Sequence, residues 1–379
     1  MKHKGFAHTM YAMIVQGAEV LAALVLVACG STRVPTPQAT ETPKGRDPLR
    51  ALTPLPLSEP GPYRVGVRQF AALDASRGDR QVSIRVWYPA VWPDDASEKR
   101  VVPLTEPDRS GAPYPLIVSS AKVGSLLAPY LVTHGFIWAG VDRIDSYEQM
   151  NEQMIEQPLD ILFMLEQVAV HPPEELHGMI DAEHTGVTGY SFDGYNALAL
   201  SGARIDPAFY LAQCATPDAT KKVMLSAFSC APARAWDAFA AYAGAAITTS
   251  DDGLWQPMTD ARIRAVMPMA GEGWWLFGDR GLAAVDRPIL MLVATQDELY
   301  PENVRIFSHL GASDKTLISF VGPDHMMMVQ NPELIARMAH FAAAFFGYHL
   351  QGRKELASYL SEDFVAQHAD LAWGAYANP

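Results

Sequence analysis

Short apolar runs without polar alternation recur along the chain, each followed by an amphipathic stretch or a turn. They read "PYPLIVSSA" (113–121), "FIWAGVD" (136–142), "HTGVTGY" (184–190), "DARIRAVMPMA" (260–270), "RPILMLVAT" (287–295) and "KTLISFVG" (315–322). A run of this kind suits a strand buried on both faces. Strands of that kind alternating with helices require a mostly parallel sheet with helices on both sides. Two earlier segments, "YRVGVRQFAAL" and "RQVSIRVWYPA", alternate instead, which predicts a pair of antiparallel strands, the second closed by Pro89. "APYLVTHG" predicts a helix capped at Gly135, and "NEQMIEQPLDILFMLEQVAV" a helix with Pro158 near a kink or its start. "PELIARMAHFAAAFFGYHL" predicts a closing amphipathic helix. Residues 205–260 break the rhythm and read as inserted helices, the position from which a lid would come. The tail, 351–379, reads as helical and then frayed.

In open α/β sheets reactive groups collect at the carboxyl ends of strands. The candidates there are Ser191 after "HTGVTGY", Asp297 after "RPILMLVATQ" and His325 after "KTLISFVGPD". A serine hydroxyl needs an imidazole to take its proton and a carboxylate to hold that imidazole in the right tautomer. The order Ser, Asp, His on strand-end turns is the order of an α/β-hydrolase. Each residue also has an ordinary reading, as a loop serine, a helix cap before "ELYPENVRIF" and a core or loop histidine. Glu298 and Asp324 are the rival acids.

The turn itself, "GYSFDG", departs from G-x-S-x-G. Gly189 lies two residues before Ser191, but Asp193 stands two after, with Gly194 next. A carboxylate in the first turn of a helix is favoured by the helix dipole, yet it brings negative charge near a developing oxyanion. The backbone N–H of Phe192 remains as one oxyanion donor.

"GPYRVG", "VWYPA", "PLIVSS", "HGFIWAGVD", "GVTGYSFDGYNAL", "DARIRAVMPMAGEGWW", "RPILMLVATQDELYP" and "GPDHMMM" together resemble the bacterial dienelactone-hydrolase-like proteins and the related platelet-activating-factor acetylhydrolases. The resemblance spans roughly residues 61–347. It implies an α/β-hydrolase fold and a serine hydrolase that removes small acyl groups from esters. Carried over residue by residue, Ser191 is the nucleophile, Asp297 the orienting acid and His325 the base. Dienelactone hydrolases proper use cysteine, so Ser191 sides with the acetylhydrolase-like branch. Relatives show His-Gly where this chain has Ala121-Lys122. By position Val123 supplies the second oxyanion N–H, and Lys122 either faces solvent or brings a cation to the substrate. Trp274 and Trp275 of "GEGWW" either line the substrate pocket or pack beneath the insertion. The methionines of "HMMM" read as filling irregular gaps.

The basic start "MKHK" and the apolar stretch ending "LVAC" read as a secretory signal. Its uninterrupted apolar part, residues 20–28, is shorter than the ~20 residues a membrane span needs. "LVAC" resembles the lipobox of bacterial lipoproteins, which implies lipidation of Cys29 and a lipid-anchored envelope location; plain secretion is the alternative. Residues 30–60 are rich in Pro and Thr and read as a tether. In an oxidising compartment Cys214 and Cys230 are candidates for a disulfide, with two free thiols the alternative. The formal net charge of −13 without any basic stripe argues against nucleic acid as a partner. No paired metal-ligand spacing and no G-x-G-x-x-G appear, so no metal and no cofactor is expected. The partner expected is a small-molecule ester. A hydrolase-like envelope protein that binds without turnover is the competing reading, motivated by Asp193 and Ala121-Lys122.

Overall fold

The apolar runs are buried through most of their length, with exposed residues mainly toward their amino-terminal ends and Arg264 exposed within one, as expected of strands between two helix layers. The computed structural model describes residues 53–92, 101–142, 150–216, 230–327 and 331–377. The signal, Cys29 and most of the tether lie outside the described residues. The alternating segments pair first: β1 (Arg64–Asp74) and β2 (Arg80–Val91) are antiparallel in unbroken register from Arg64↔Ala90 to Asp74↔Arg80. Pro89 does not close β2 but lies inside it, opposite Val65. The ladder from β2 to β6 stops at Trp87, so Pro89 interrupts nothing on that side. Two short pieces, β3 (Val102–Pro103) and β4 (Glu106–Pro107), add to β1 and β2.

The parallel part follows. β5 (Tyr114–Ser120) leads into α1 (Ala121–Leu131), β6 (Ile137–Asp142), α2 (Met150–Val170), β7 (Ile180–Tyr190) and α3 (Phe192–Leu200). The insertion contributes α4 (Pro207–Cys214), α5 (Trp236–Ala243) and α6 (Ala245–Thr248). Then come β8 (Ile263–Met269), α7 (Trp274–Leu282), β9 (Ile289–Ala294), α8 (Tyr300–His309), β10 (Lys315–Phe320) and α9 (Pro332–Leu350). With β11 (Leu371–Trp373) from the tail, the strand order is β11-β10-β9-β8-β7-β5-β6-β2-β1-β3. From β5 the chain steps outward to β6, then crosses back to β7 on the other side of β5. The carboxyl ends of β5 and β7 therefore flank a topological switch point.

Apolar side chains of α1 and α9, among them Leu127, Leu131, Phe341 and Phe345, form one core with one sheet face. Those of α2, α3, α7 and α8, among them Met164, Leu198, Phe277 and Ile306, form the other. The helix expected from Ala128 begins earlier, at Ala121, because Ser120 caps it. A short 3-10 turn carries it on to Gly135, which takes the left-handed conformation (φ 84°) expected of a cap.

The insertion is not a separate flap where it is described. Tyr210, Phe239, Trp255 and Met258 are buried in the same core as α2 and α3. Residues 217–229 lie outside the described residues. Cys214 and Cys230 are joined in a disulfide, with Cα atoms 5.6 Å apart. The tail also differs from expectation. After a 3-10 segment (Lys354–Leu360) and α10 (Glu362–Val365), β11 (Leu371–Trp373) adds antiparallel to β10. Three residues are too few to show a strand period, and only the open edge of β10 gives them a partner.

The disulfide closes a loop of 16 residues in sequence separation. Replacing both cysteines by alanine is expected to lower unfolding free energy by about 3 kcal/mol. Urea denaturation of the two forms checks this, with unchanged midpoints as the contrary result.

Candidate active site

β7 ends at Tyr190 and α3 starts at Phe192, so the entire reversal falls on Ser191. Its backbone is left-handed, with φ 60° and ψ −121°. For a residue with a side chain this costs on the order of 1–3 kcal/mol, and the surrounding packing must hold it. Close backbone approach does so on both sides. A Cβ on Gly189 would lie 1.8 Å from the Asp193 carbonyl oxygen, and one on Gly194 would lie 2.6 Å from the Gly271 Cα. The glycine needed after the serine is thus Gly194, against the turn after β8. Asp193 points elsewhere.

The Ser191 N–H donates to the Met269 carbonyl at 3.0 Å, tying the turn to β8. Ser191 Oγ and His325 Nε2 are 2.9 Å apart, and His325 Nδ1 is 2.8 Å from Asp297 Oδ2. With the Nδ1 proton donated to Asp297, Nε2 is the acceptor for the Ser191 hydroxyl. Asp297 is only 5% exposed, and its Oδ1 accepts the Leu299 N–H at 2.8 Å. Both carboxylate oxygens are thereby fixed.

The loop carrying His325 is bound to the loop carrying Asp297. Gln296 N–H donates to the Pro323 carbonyl at 3.0 Å, and Gly322 N–H to Thr295 Oγ1 at 2.9 Å. From the other side the Tyr190 hydroxyl donates to the His325 carbonyl, and the two rings lie 5.6 Å apart. The rival acids are elsewhere: Glu298 is exposed, and Asp324 Oδ1 accepts the Met326 N–H at 2.9 Å.

Phe192 is the first residue of α3 and Val123 lies in the first turn of α1. Both helices begin at the carboxyl edge, on either side of the switch point. The Val123 N–H contacts Ser120 Oγ at 3.4 Å. Lys122 is exposed to solvent. Trp274 is buried in packing, edge-on to Phe209 at 5.5 Å with the Arg305 guanidinium 4.5 Å above its ring. Trp275 is half-buried and stacks against Tyr195 at 6.3 Å. Met327 is core and Met326 is exposed; Met328 lies outside the described residues.

Glu272 and Glu302 were not singled out by sequence reasoning. Glu302 Oε1 accepts the N–H groups of Gly273 and Trp274 at 2.9 and 3.1 Å, where α7 begins. Glu272 is 2% exposed, and its Oε1 has no hydrogen-bond partner among the described residues. Burial, reinforced by the charges of Glu302 and Asp297, pushes its carboxyl up to about 8. Burial also raises Glu302, against the two N–H groups it accepts. The available signal was a carboxylate three residues past a buried strand, in "MAGEGWW".

A cleft of about 650 Å³ between Tyr63, Trp92, Tyr130 and Arg337 includes none of Ser191, Asp297 and His325. The hydrogen-bonded chain, not cavity size, marks the candidate site.

No family model matches the chain, and no curated protein does. Among solved structures it is similar to a ferulic acid esterase from Streptomyces cinnamoneus. The TM-score is 0.51 at 16% identity, over 82% of this chain and 96% of the other. The likeness shows the architecture: this is an α/β-hydrolase fold, a mostly parallel sheet with helices on both faces.

Glu272 couples this site to pH. The folded chain keeps its proton up to about pH 8, whereas the unfolded chain releases it near the ordinary value of 4.5. Its contribution to stability is whole below pH 4.5 and is lost as pH rises through about 8. Glu272→Gln removes this dependence. At pH 9 the variant is expected to exceed the wild type in stability by up to roughly 5 kcal/mol. Urea denaturation across the range checks it; parallel curves would contradict it.

Proposed function

We propose that the protein is a serine hydrolase of carboxylic esters carrying short acyl groups. The observation that carries this reading is the chain Asp297 to His325 to Ser191, at 2.8 and 2.9 Å, ending on a serine with a left-handed backbone. His325 Nε2 takes the Ser191 proton as Oγ attacks the ester carbonyl, and Asp297 Oδ2 holds the imidazole and stabilises its cation. The N–H groups of Phe192 and Val123 receive the oxyanion. His325 then gives its proton to the leaving alcohol. A water molecule, activated by the same imidazole, releases the acid from the acyl-enzyme. The preference for short acyl groups rests on the resemblance of the sequence motifs. A separate resemblance, of "LVAC" to a lipobox, supports placing the domain at the cell envelope, held by a lipid on Cys29.

A fluorophosphonate probe is expected to label the wild type and not Ser191→Ala. Asp297→Asn, which leaves the imidazole in the wrong tautomer, is expected to lower kcat by roughly 10⁴ on p-nitrophenyl acetate. Equal labelling of Ser191→Ala removes Ser191 from the mechanism. Cys29→Ser is expected to move the protein from the membrane fraction to the soluble one and to abolish incorporation of labelled fatty acid. Unchanged fractionation and labelling would refute the anchor.

A further inference from the structure

Asp193 occupies the place of the usual glycine, and the mechanism above gives it no task. Its carboxylate is 4% exposed. Oδ2 accepts the Ser120 hydroxyl at 2.6 Å, and Oδ1 accepts Asn196 Nδ2 at 3.1 Å. Asn196 Nδ2 also donates to Gln157 Oε1 at 2.9 Å. Ser120 is the last residue of β5 and the cap of α1, and it too is buried. A hydroxyl has one proton. Donated to Asp193, it leaves the lone pairs of Ser120 Oγ to face the Val123 N–H, at 3.4 Å.

This chain of contacts joins the two segments that carry the oxyanion donors. Phe192 precedes Asp193 directly in α3. Val123 lies three residues after Ser120 in α1. β5 and β7 are paired only through Leu116–Val118 and the residues before them, so the ladder stops short of both donors. The Ser120–Asp193 hydrogen bond spans the gap that the sheet leaves open.

We propose that Asp193 is a positioning residue which, by accepting the Ser120 hydroxyl, sets the Val123 N–H against the Phe192 N–H across the oxyanion position. This rests on the ester-hydrolase reading of the site. The contact of Val123 with Ser120 is long for a hydrogen bond, so an oxyanion can recruit that N–H at little cost. The charge of Asp193 is met by the Ser120 and Asn196 donors and by the N-terminal dipole of α3, which answers the objection that it opposes the oxyanion.

The motif and the structure make opposite predictions for Asp193→Gly. It restores G-x-S-x-G, so the motif predicts equal or better activity. The structure predicts a loss, because the Ser120 hydroxyl loses its acceptor. The measurement uses the full chain, p-nitrophenyl acetate as substrate and fluorophosphonate labelling of Ser191. Asp193→Gly, Asp193→Ala and Ser120→Ala are each expected to lower kcat roughly 10–100-fold, with KM within about twofold, since losing one oxyanion donor costs about 10²–10³. The double variant Asp193→Ala/Ser120→Ala is expected to be no worse than either single one, because both break one link. Asp193→Asn keeps an acceptor oxygen and is expected to recover most of kcat. If Asp193→Ala does not fold, Ser120→Ala and Asp193→Asn carry the test. Wild-type kcat in Asp193→Gly or Ser120→Ala overturns the proposal and leaves the ester-hydrolase reading standing. So does a multiplicative double variant. A wild type that neither labels nor turns over the probe overturns both.

Discussion

The site depends on backbone packing backbone at the reversal between β7 and α3. Gly189 lies against the Asp193 carbonyl and Gly194 against Gly271, and neither position has room for a side chain. Those contacts, with the Ser191 N–H bound to Met269, hold Ser191 in a conformation the free chain would avoid. Strain of this size persists only where it is enforced from several directions. Here the enforcement comes from β8 as well as from the turn. The turn after β8 is therefore part of the site although it holds none of the hydrogen-bonded three.

That same turn carries Glu272 into the interior beside Asp297 and Glu302. Carboxylates crowded away from water repel one another, and the least satisfied one keeps its proton. Asp297 has Leu299 and His325 as donors, and Glu302 has two backbone N–H groups; Glu272 Oε1 has none among the described residues. Asp297 is the one aimed at the imidazole, while burial raises both Glu272 and Glu302, opposed at Glu302 by its two N–H donors. The insertion is packed onto the domain. Tyr210 and Trp236 pack in a continuous aromatic layer with Trp275 and Tyr195, so the helices after α3 share the core of the domain.

Much of this was legible in the chain. The apolar runs became β5 to β10, and the alternating pair became β1 and β2, because strand periodicity and burial are local consequences of side-chain pattern. Ser191, Asp297 and His325 were legible as residues just past strand ends, and the structure brings their side chains within hydrogen-bonding distance. Other readings failed where the pattern was short or ambiguous. β11 has three residues and exists because β10 would otherwise be an open edge. Pro89 was read as a stop, yet pairing on one side only lets the strand run through it. Trp274, for which pocket lining and packing were both open, packs under Arg305 and against Phe209.

By itself the sequence determined the class of fold, the order of the three candidate site residues and the edge of the sheet at which they stand. All three follow from the spacing of apolar runs and from what comes directly after each. Only the tertiary structure decided that Gly194, not Asp193, answers for the missing glycine, that Asp193 reaches Ser120, and that Glu272 is sealed beside Asp297. Ser120 and Asp193 are 73 positions apart. Contact between such residues is set by how strands register and helices seat, and no local pattern encodes that separation.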